Sequence, residues 1–412
     1  MTVTDLPTEP AARHDVLIVG GGLVGASLAI ALARAGIDAA LVEATAADAM
    51  PAVFDQRNLS FAEATVNALQ ALQVMPLLQQ PAAPIRRIHA SRRGDVGRVW
   101  LAARDYGREQ FGQVVVASDF GQALETRLQA LPQLQRYRPA RFTGLADAPA
   151  GWRGVRIETD GEALLLHTRL LVAADGMHSS VRTALGIAVD SHDYDQTLFV
   201  ARLRSERAPD GTAYERLTDD GPTALLPRGD RHYGVVHAVP TAQADAVSAL
   251  DDSAFLERVQ DAFGWRAGRF TAVGPRSRYP ALRLQAQSLI APRAVVIGNA
   301  AQSLHPVGAQ GFNLGLRDAL TLAELLQQSG IVGVDDGLLQ RYAQRRQADR
   351  DRTLAFSDGL ARLTANPLPL LSGLRSLGMA AIDRSASLQS WLVGGAMGYR
   401  GDVPALCRES AA

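Results

Sequence analysis

The sequence predicts a mixed α/β fold: a Rossmann-like domain, interrupted by an inserted antiparallel β-sheet domain and followed by a helical C-terminal region. A short apolar run at residues 16–19 ends in glycines, as a buried parallel strand does. Residues 187–290 alternate polar and apolar side chains, which is typical of antiparallel strands. The residues after about 345 have helical patterns, which Pro367 and Pro369 are expected to break.

Each element is predicted from a local pattern. Residues 16–33 carry no charge over 18 positions, the length of a membrane span, but the glycines at 20–22 favour a strand, a turn and a helix instead. The other predictions rest on apolar runs for strands and on helical periodicity for helices. They are a helix at 27–35, a strand at 39–42, a helix at 62–80, β-rich segments in 85–118, a helix at 124–131, paired strands at 152–174, a helix at 252–263, a strand at 294–297 and a helix at 313–328.

These elements divide the chain into successive regions. The predicted order is a flexible tail (1–13), the first part of the Rossmann-like domain (14–186), the inserted β-rich domain (187–290), the second part of the Rossmann-like domain (291–345) and the helical C-terminal region (346–412). Strands within 85–118 are candidates to join the sheet of the inserted domain.

The composition excludes several classes of protein. All 42 basic residues of the 412-residue chain are arginine and they balance 42 acidic residues, so no net positive field favours nucleic acid. Without lysine the chain has neither a lysine Schiff base nor a P-loop lysine. The single cysteine, Cys407, excludes an internal disulfide framework and a four-cysteine metal site, and it fits a reducing, cytoplasmic environment.

The first motif is a glycine-rich turn between the first strand and the first helix. Its glycines permit a tight turn, close approach of the backbone to a pyrophosphate and close packing of helix on strand. Glu43 follows the second strand, where a carboxylate can accept hydrogen bonds from a ribose. The alternative is a glycine-rich turn in a protein that binds no nucleotide. The residues predicted to bind a dinucleotide here are Gly20, Gly22, Leu23, Val24 and Gly25.

The second motif follows the buried strand that ends near residue 174. Asp175 is predicted at the carboxyl end of that strand, the edge at which open α/β sheets bind ligands. Ser179 and Ser180 can cap the helix that starts near Val181. The motif predicts either a ligand contact by Asp175 or a plain strand, turn and helix in which Asp175 is a capping residue.

The third motif joins a buried strand to another helix. Gly298 and Asn299 form a polar turn, and a glycine-rich loop runs from His305 to Gly311. The helix N-terminus that follows can stabilise negative charge on an electron-rich ring.

In this order and spacing the three motifs resemble those of the FAD-dependent aromatic hydroxylases of the para-hydroxybenzoate hydroxylase class. The wording from Gly298 to Asp318 is most similar to the ubiquinone-biosynthesis hydroxylases, in particular the 2-polyprenyl-6-methoxyphenol hydroxylases. The likeness covers nearly the whole chain and is weakest in 187–290 and after about 345. It implies noncovalent FAD in the Rossmann-like domain, NAD(P)H as a transient co-substrate and a substrate-binding role for the inserted domain.

The resemblance also implies a place on FAD for each motif. The first motif would hold the ADP part, Asp175 would lie in the pyrophosphate region, and the third motif would bind the ribityl chain and meet the isoalloxazine. Arg57 and Gln122 match FAD-contacting residues of the family, the alternatives being a surface salt bridge and an exposed side chain. The third-motif residues implied are Gly298, Asn299, Pro306, Ala309, Gln310, Gly311, Phe312 and Asn313.

Two positions depart from the family pattern, and the catalytic residues stay unidentified. Asn299 stands where aspartate is usual, and Gly308-Ala309 replaces the usual Ala-Gly. His305 is the candidate general base, and the alternative is a ring that only hydrogen-bonds within its loop. The other histidines lack metal-ligand spacing, so no metal site is predicted.

The implied reaction is hydroxylation of a polyprenylated methoxyphenol in ubiquinone biosynthesis, with NAD(P)H and O₂ and through a flavin C4a-hydroperoxide. The alternatives are a flavin hydroxylase of a small soluble aromatic, a prenyl-chain reductase and a non-catalytic flavoprotein scaffold subunit. A lipid-tailed phenol lies in the bilayer, so we expect a cytoplasmic protein that meets the inner face of the membrane peripherally or joins a biosynthetic complex. The apolar stretch 368–379 predicts either an amphipathic helix for this contact or a helix packed on its own domain.

Overall fold

A computed structural model describes residues 9–305, 307–331, 334–364 and 369–408. Residues 1–8 of the predicted tail, Pro306 of the third motif, and Pro367 and Leu368 of the C-terminal region lie outside the described residues.

The strands of the described residues group into three sheets. In chain order they are β1 (Ala12–Val19), β2 (Ala39–Val42), β3 (Asn58–Ala62), β4 (Ala83–Ile85), β5 (Arg87–Arg92), β6 (Arg98–Ala102), β7 (Gly112–Val116), β8 (Gln135–Tyr137), β9 (Ala140–Ala146), β10 (Arg153–Thr159), β11 (Glu162–Ala173), β12 (Val189–Ser205), β13 (Thr212–Thr218), β14 (Gly221–Pro227), β15 (Tyr233–Pro240), β16 (Phe270–Val273), β17 (Ser277–Ala286), β18 (Ile290–Ala291), β19 (Ala294–Val296) and β20 (Gln302–Ser303).

The helices pack against these sheets. They are α1 (Leu23–Arg34), α2 (Glu63–Ala71), α3 (Ala117–Gln129), α4 (Ser180–Ala184), α5 (Ala244–Ser248), α6 (Asp252–Phe263), α7 (Gly311–Ser329), α8 (Asp336–Thr364), α9 (Pro369–Arg384) and α10 (Ala386–Ala396). Among the described residues, no helix combines the length and the apolar character needed to cross a bilayer.

The first sheet carries the main core and has the order β18-β19-β11-β1-β2-β8, with β10 and β9 added beside β11. Strands β19, β11, β1, β2 and β8 run parallel, and residues 16–19 of β1 pair on both sides, with 170–173 and 39–42. Because both neighbours and both faces are covered, all of residues 16–19 are buried, which explains their continuous apolar sequence.

The second sheet has the order β20-β17-β12-β15-β14-β13-β5-β6, and β16 pairs with β12. One of its faces packs on α6, where Phe199 and Tyr214 contact the cluster that contains Phe255. Side chains alternate along a strand, so Ala213 and Leu217 point to the opposite face, which we call the inner face. The inner face looks toward the third-motif loop and the C-terminal helices.

Several element boundaries differ from the sequence predictions. Strand β1 begins at Ala12, inside the predicted tail, because Ala12 and Arg13 pair with β11. Helix α1 begins at Leu23 rather than Ser27, α3 begins at Ala117, and α7 begins at Gly311. The helix predicted at 62–80 ends at Ala71. Two residues later, Gln73 adopts a left-handed backbone conformation, which is typical of a helix end.

Two further predictions concern the segments 85–118 and 365–369. Strands β5 and β6 pair into the second sheet through β13, whereas β4 and β7 join β3 in the third sheet. Helix α8 ends at Thr364 and a separate helix, α9, begins at Pro369, in agreement with the predicted interruption; at the first position of a helix the missing N–H of proline costs no hydrogen bond.

A buried ionic network joins α7 to α8. Arg346, which is fully buried, donates to Asp318 at 2.7 Å and to Asp349 at 2.7 Å, and Arg317 donates to Asp349 at 2.7 Å. Burial would raise the pKa of Asp349, but Arg317 and Arg346 outweigh burial and lower that pKa. Gln302 donates to the other oxygen of Asp318 at 2.6 Å, so the network also fixes the segment that follows Gly298 and Asn299.

We predict that Arg346→Met lowers the free energy of unfolding by about 3–5 kcal/mol, because two buried carboxylates lose their shared partner. The matched control is Arg345→Met, one residue away. Its partners Glu324 and Asp402 are 20% and 45% exposed, so both can be hydrated after the substitution, and the loss should cost about 1 kcal/mol. Urea unfolding of both variants measures the difference. Equal midpoints for the two variants would contradict the structural importance of the network.

Candidate functional site

The three motifs meet at one edge of the first sheet. Strands β1, β11 and β19 are adjacent and parallel, and each motif begins at the carboxyl end of one of them. This is the edge at which open parallel sheets bind ligands. The sequence predicted three separate loops, and the sheet order brings them together.

The glycines of the first motif differ in what surrounds them. A Cβ atom at Gly25 would lie 1.9 Å from the Gly20 carbonyl oxygen, and one at Gly20, where φ is +106°, would lie 2.4 Å from the Ala174 oxygen. A Cβ atom at Gly22 would instead have only the Val53 side chain, at 3.7 Å, near it. Packing therefore demands glycine at 20 and 25, whereas the space in front of Gly22 is open.

The N-terminus of α1 beside this space is uncapped. Gly22 is the N-cap residue, no side chain caps the helix, and its first turn contains no acidic residue. The first N–H groups of a helix have no partner within the helix and attract anions. This uncapped N-terminus and the open space at Gly22 together form a cradle that suits a phosphate group.

Glu43 is fixed by the backbone beside that cradle. Its Oε2 accepts from the Gly21 N–H at 2.7 Å and its Oε1 accepts from the Thr45 N–H at 2.7 Å. Each carboxylate oxygen can accept a second hydrogen bond. The carboxylate is therefore held in one orientation with acceptor capacity left for hydroxyl groups.

Asp175 supports the N-terminus of helix α4, whose N-cap residue is Ser179, as the sequence predicted. Its carboxylate accepts from the Ser179 hydroxyl at 2.5 Å and from the Val181 N–H at 3.2 Å. These contacts match the capping alternative, and the ligand contact stays a prediction. Arg182 was not predicted from the sequence as a site residue. It is buried and donates to the Met177 and Ala300 carbonyl oxygens, and these bonds connect the second motif to the third. An arginine just inside a helix was visible in the sequence, but its distant acceptor was not.

The third motif packs on the first. A Cβ atom at Gly298 or at Gly315 would lie 3.0 Å or 2.8 Å from the Val24 side chain. Asn299, next to this contact, is exposed, and within the described residues its amide has no hydrogen-bond partner. The amide therefore remains free to meet a ligand at the sheet edge.

The loop and the start of α7 have a constrained backbone. Ala309 has φ +51°, so a residue with a Cβ occupies the left-handed region that usually favours glycine. Gln310 and Gly311 lead into α7, which has no side-chain cap at its N-terminus. Phe312 packs against Phe61 and Phe120, with ring centroids 5.3 Å and 5.4 Å away.

Asn313 uses its side chain inside the protein. Its oxygen accepts from the Ala62 N–H at 2.9 Å, and its nitrogen donates to the Ser60 and Ala309 carbonyl oxygens at 3.0 Å. Both amide hydrogens are therefore occupied, and the predicted cofactor contact of Asn313 is left to its main chain or to the second lone pair of its side-chain oxygen. The side chain instead anchors the loop to β3.

Arg57 is held by an acidic and an aromatic partner. Its guanidinium donates to Asp55 at 2.8 Å and 2.9 Å and stacks 4.5 Å from the ring centroid of Tyr279, whose hydroxyl also donates to Asp55. Tyr279 lies in the inserted region, so no local signal could have revealed it. Gln122 is exposed on α3 and, among the described residues, has no hydrogen-bond partner.

His305 is buried and both of its ring nitrogens are engaged. Nδ1 accepts from the Val307 N–H at 3.2 Å, and Nε2 lies 3.1 Å from the Gln196 side-chain oxygen. Burial lowers the pKa of His305 to about 4, so the ring is neutral at neutral pH. This geometry matches the alternative of a loop-stabilising ring, and the general-base role stays a prediction. Within the described ranges, no three His, Cys, Asp or Glu side chains are grouped to hold a metal ion.

Comparisons with known proteins agree with this geometry. A family model described as "FAD binding domain" matches residues 13–357. A ubiquinone hydroxylase named UbiL from Rhodospirillum rubrum is 33% identical over 388 residues, which cover 93% of this chain and 89% of that protein. The 3-demethoxyubiquinol 3-hydroxylase of Escherichia coli is 28% identical and covers 94% of this chain and 97% of its own.

The fold also matches solved structures. The crystal structure of p-nitrophenol 4-monooxygenase PnpA from Pseudomonas putida superimposes with a TM-score of 0.76 at 16% identity, covering 95% of this chain and 99% of that chain. At this identity the likeness shows the fold alone. The predicted mixed α/β fold is thereby confirmed.

We predict that Gly22→Val leaves the ligand-free fold intact but weakens FAD binding by about tenfold or more, because the new methyl groups fill the open cradle. Titration of the apoprotein with FAD, followed by flavin fluorescence, measures the dissociation constant, and urea unfolding measures the stability.

The matched control is Gly25→Ala, where the added Cβ collides with backbone. This variant should lower the free energy of unfolding by about 1–3 kcal/mol even without FAD. If Gly22→Val purified with full FAD occupancy and wild-type affinity, the phosphate site would lie elsewhere.

Proposed function

The chain belongs to the FAD binding domain family and is an FAD-dependent monooxygenase; from this premise we propose that it hydroxylates a polyprenylated methoxyphenol in ubiquinone biosynthesis. One observation carries the proposal: relatives named as ubiquinone hydroxylases match the chain over about nine-tenths of its length, at 28–33% identity. The sequence of the third motif also supports a polyprenylated phenol as the substrate.

The residues of the site suit this function. The uncapped N-terminus of α1 and the open space at Gly22 would hold the pyrophosphate of FAD, and the fixed carboxylate of Glu43 would accept from its ribose. The free amide of Asn299 and the oriented guanidinium of Arg57 are the proposed contacts to the ribityl chain and phosphates. Bound FAD supplies the redox chemistry that links oxidation of NAD(P)H to insertion of one oxygen atom from O₂.

The protein's own contribution is orientation and exclusion of water. The uncapped N-terminus of α7 would face the ring system of FAD and favour negative charge on it. The inner face of the second sheet supplies apolar side chains on the other side, including Leu217, which packs with Val307 of the third-motif loop and with Ala361. Between the two, these apolar side chains would keep water away from the reacting groups of bound FAD.

A lipid-tailed substrate also requires contact with a bilayer, and we propose that α10 supplies it. Leu388 and Trp391, three residues apart on α10, are 44% and 55% exposed. Arg400 stacks on the Trp391 ring at 3.9 Å, and Arg384 is exposed nearby in the chain. Tryptophan, leucine and arginine together are typical of a surface that rests in a membrane interface.

We predict that the protein floats with vesicles of phosphatidylethanolamine and phosphatidylglycerol, and that Trp391→Ser lowers the bound fraction severalfold. The control is Trp265→Ser, which removes another tryptophan that is 67% exposed but lies in the inserted region. Equal losses in the two variants, or no flotation of the wild type, would rule out α10 as the membrane contact.

The substrate class is tested with a series of 2-prenyl-6-methoxyphenols of increasing tail length. Each added isoprene unit buries apolar area at roughly 25 cal/mol per Å², so affinity should rise steeply with tail length. The measurement is hydroxylated product formed per NAD(P)H consumed. Better turnover of a tailless hydroxybenzoate than of every prenylated phenol would favour the small-aromatic alternative. If NAD(P)H does not reduce the flavin in the presence of any of these substrates, the result would favour a non-catalytic scaffold subunit.

A further inference from the structure

Glu215 lies at the centre of the inner face. Strand β13 is interior to the second sheet, and Glu215 pairs directly with Ala224 of β14 and with Ala90 of β5. Residues paired across strands share a face, so the glutamate stands between two alanines. These small neighbours leave room around its carboxylate on the side that faces away from α6.

The residues two positions away along β13 show what Glu215 faces. Leu217 packs with Val307 of the third-motif loop, and Ala213 packs in the cluster of Val393 and Met397 at the end of α10. Side chains at these alternate positions point the same way. Glu215 therefore points toward the third-motif loop and the C-terminal helices, the region in which we propose that the substrate ring binds.

The carboxylate has no partner within the described residues. Its Oε1 is fully buried and makes no hydrogen bond, and the residue forms no ion pair there. Burial raises the pKa of Glu215 to about 7, and no neighbouring charge offsets that effect. Buried polar atoms in native proteins are almost always hydrogen-bonded, so an isolated carboxylate oxygen signals a missing donor.

Other acidic groups of the interior behave differently. Asp318 and Asp349 accept from arginines or a glutamine at 2.6–2.7 Å, and Glu43 accepts two backbone N–H groups. These carboxylates serve the fold. Glu215 has no such pairing and points toward the third-motif loop, so the donor that it lacks is expected to come from a ligand.

We propose that Glu215 accepts a hydrogen bond from the phenolic hydroxyl of the substrate and so fixes the orientation of the ring. This inference rests on the proposed function, because it requires a phenol in the cleft. The hydroxyl is the one donor that a prenylated methoxyphenol offers. Among the acids of the inner face, Glu215 has a buried oxygen without a partner, so its hydrogen bond would set which ring carbon points toward the flavin site.

The test compares a phenol with its methyl ether, which lacks the donor. Dissociation constants for 2-prenyl-6-methoxyphenol and its O-methyl ether are measured on the FAD-loaded enzyme from changes in the flavin absorption spectrum. At pH 8.5, above the pKa of about 7 at which Glu215 ionises, the wild type should bind the phenol about 10–100-fold more tightly, as expected for a hydrogen bond to a charged acceptor. Glu215→Leu should bind the two ligands equally, and Glu215→Gln, which keeps an acceptor oxygen, should retain part of the preference.

Two controls separate this role from a structural one. Glu158→Leu makes the same chemical change at an exposed position of β10 and should leave the preference intact. The melting temperature of ligand-free Glu215→Leu should be equal to or above that of the wild type, because an unpaired buried carboxylate is removed. A lower melting temperature with an unchanged preference for the phenol would overturn the proposal.

The same dissociation constants distinguish a wrong substrate class from a wrong role for Glu215. If the wild type prefers 4-hydroxybenzoate to every prenylated phenol, the proposed substrate class is wrong, and 4-hydroxybenzoate with 4-methoxybenzoate then decides the role of Glu215. If the hydroxyl preference persists in Glu215→Leu with either pair, the assignment of Glu215 is wrong. If FAD-loaded wild type binds no phenol at all, both are wrong.

Discussion

The close packing at the sheet edge where the three motifs meet depends on glycines, because a larger side chain at these positions would collide with its neighbours. A Cβ atom at Gly20 or Gly25 would overlap backbone atoms, and one at Gly298 or Gly315 would press on Val24. These contacts let α1, α7 and the turn after β19 approach one another closely. Because of that approach, loops that are far apart in sequence form one surface, and the open cradle beside it is available to a ligand.

The buried polar groups around this surface are of two kinds. His305, Asn313 and Asp318 satisfy their side chains within the protein and hold the third-motif loop in place. Glu215, by contrast, has a buried carboxylate oxygen that lacks a partner within the described residues. A fold normally pairs its interior polar atoms, so this contrast separates the side chains that hold the loop from a side chain that is available to a ligand.

The site residues named from sequence illustrate the limit of motif reasoning. The motif pattern indicated that His305, Asp175 and Asn313 would lie near the ligand-binding edge, and the structure brings their motifs to that edge. Their side chains, however, hydrogen-bond within the protein. A motif fixes which residue types occur at a turn, but the direction of each side chain depends on acceptors that come from other parts of the chain.

By itself the sequence determined the fold class, the order of the motifs and the family, because glycine spacing and hydrophobic periodicity are local properties of the chain. It also determined that residues 16–19 form part of the first strand, because their apolar run suits burial on both faces. Only the tertiary structure decided that Arg346 would be buried between two aspartates and that Tyr279 would stack on Arg57. It also decided that a buried carboxylate oxygen of Glu215 would lack a hydrogen-bond partner within the described residues. Each of these depends on strand order and helix packing over long sequence separations, which no local pattern encodes.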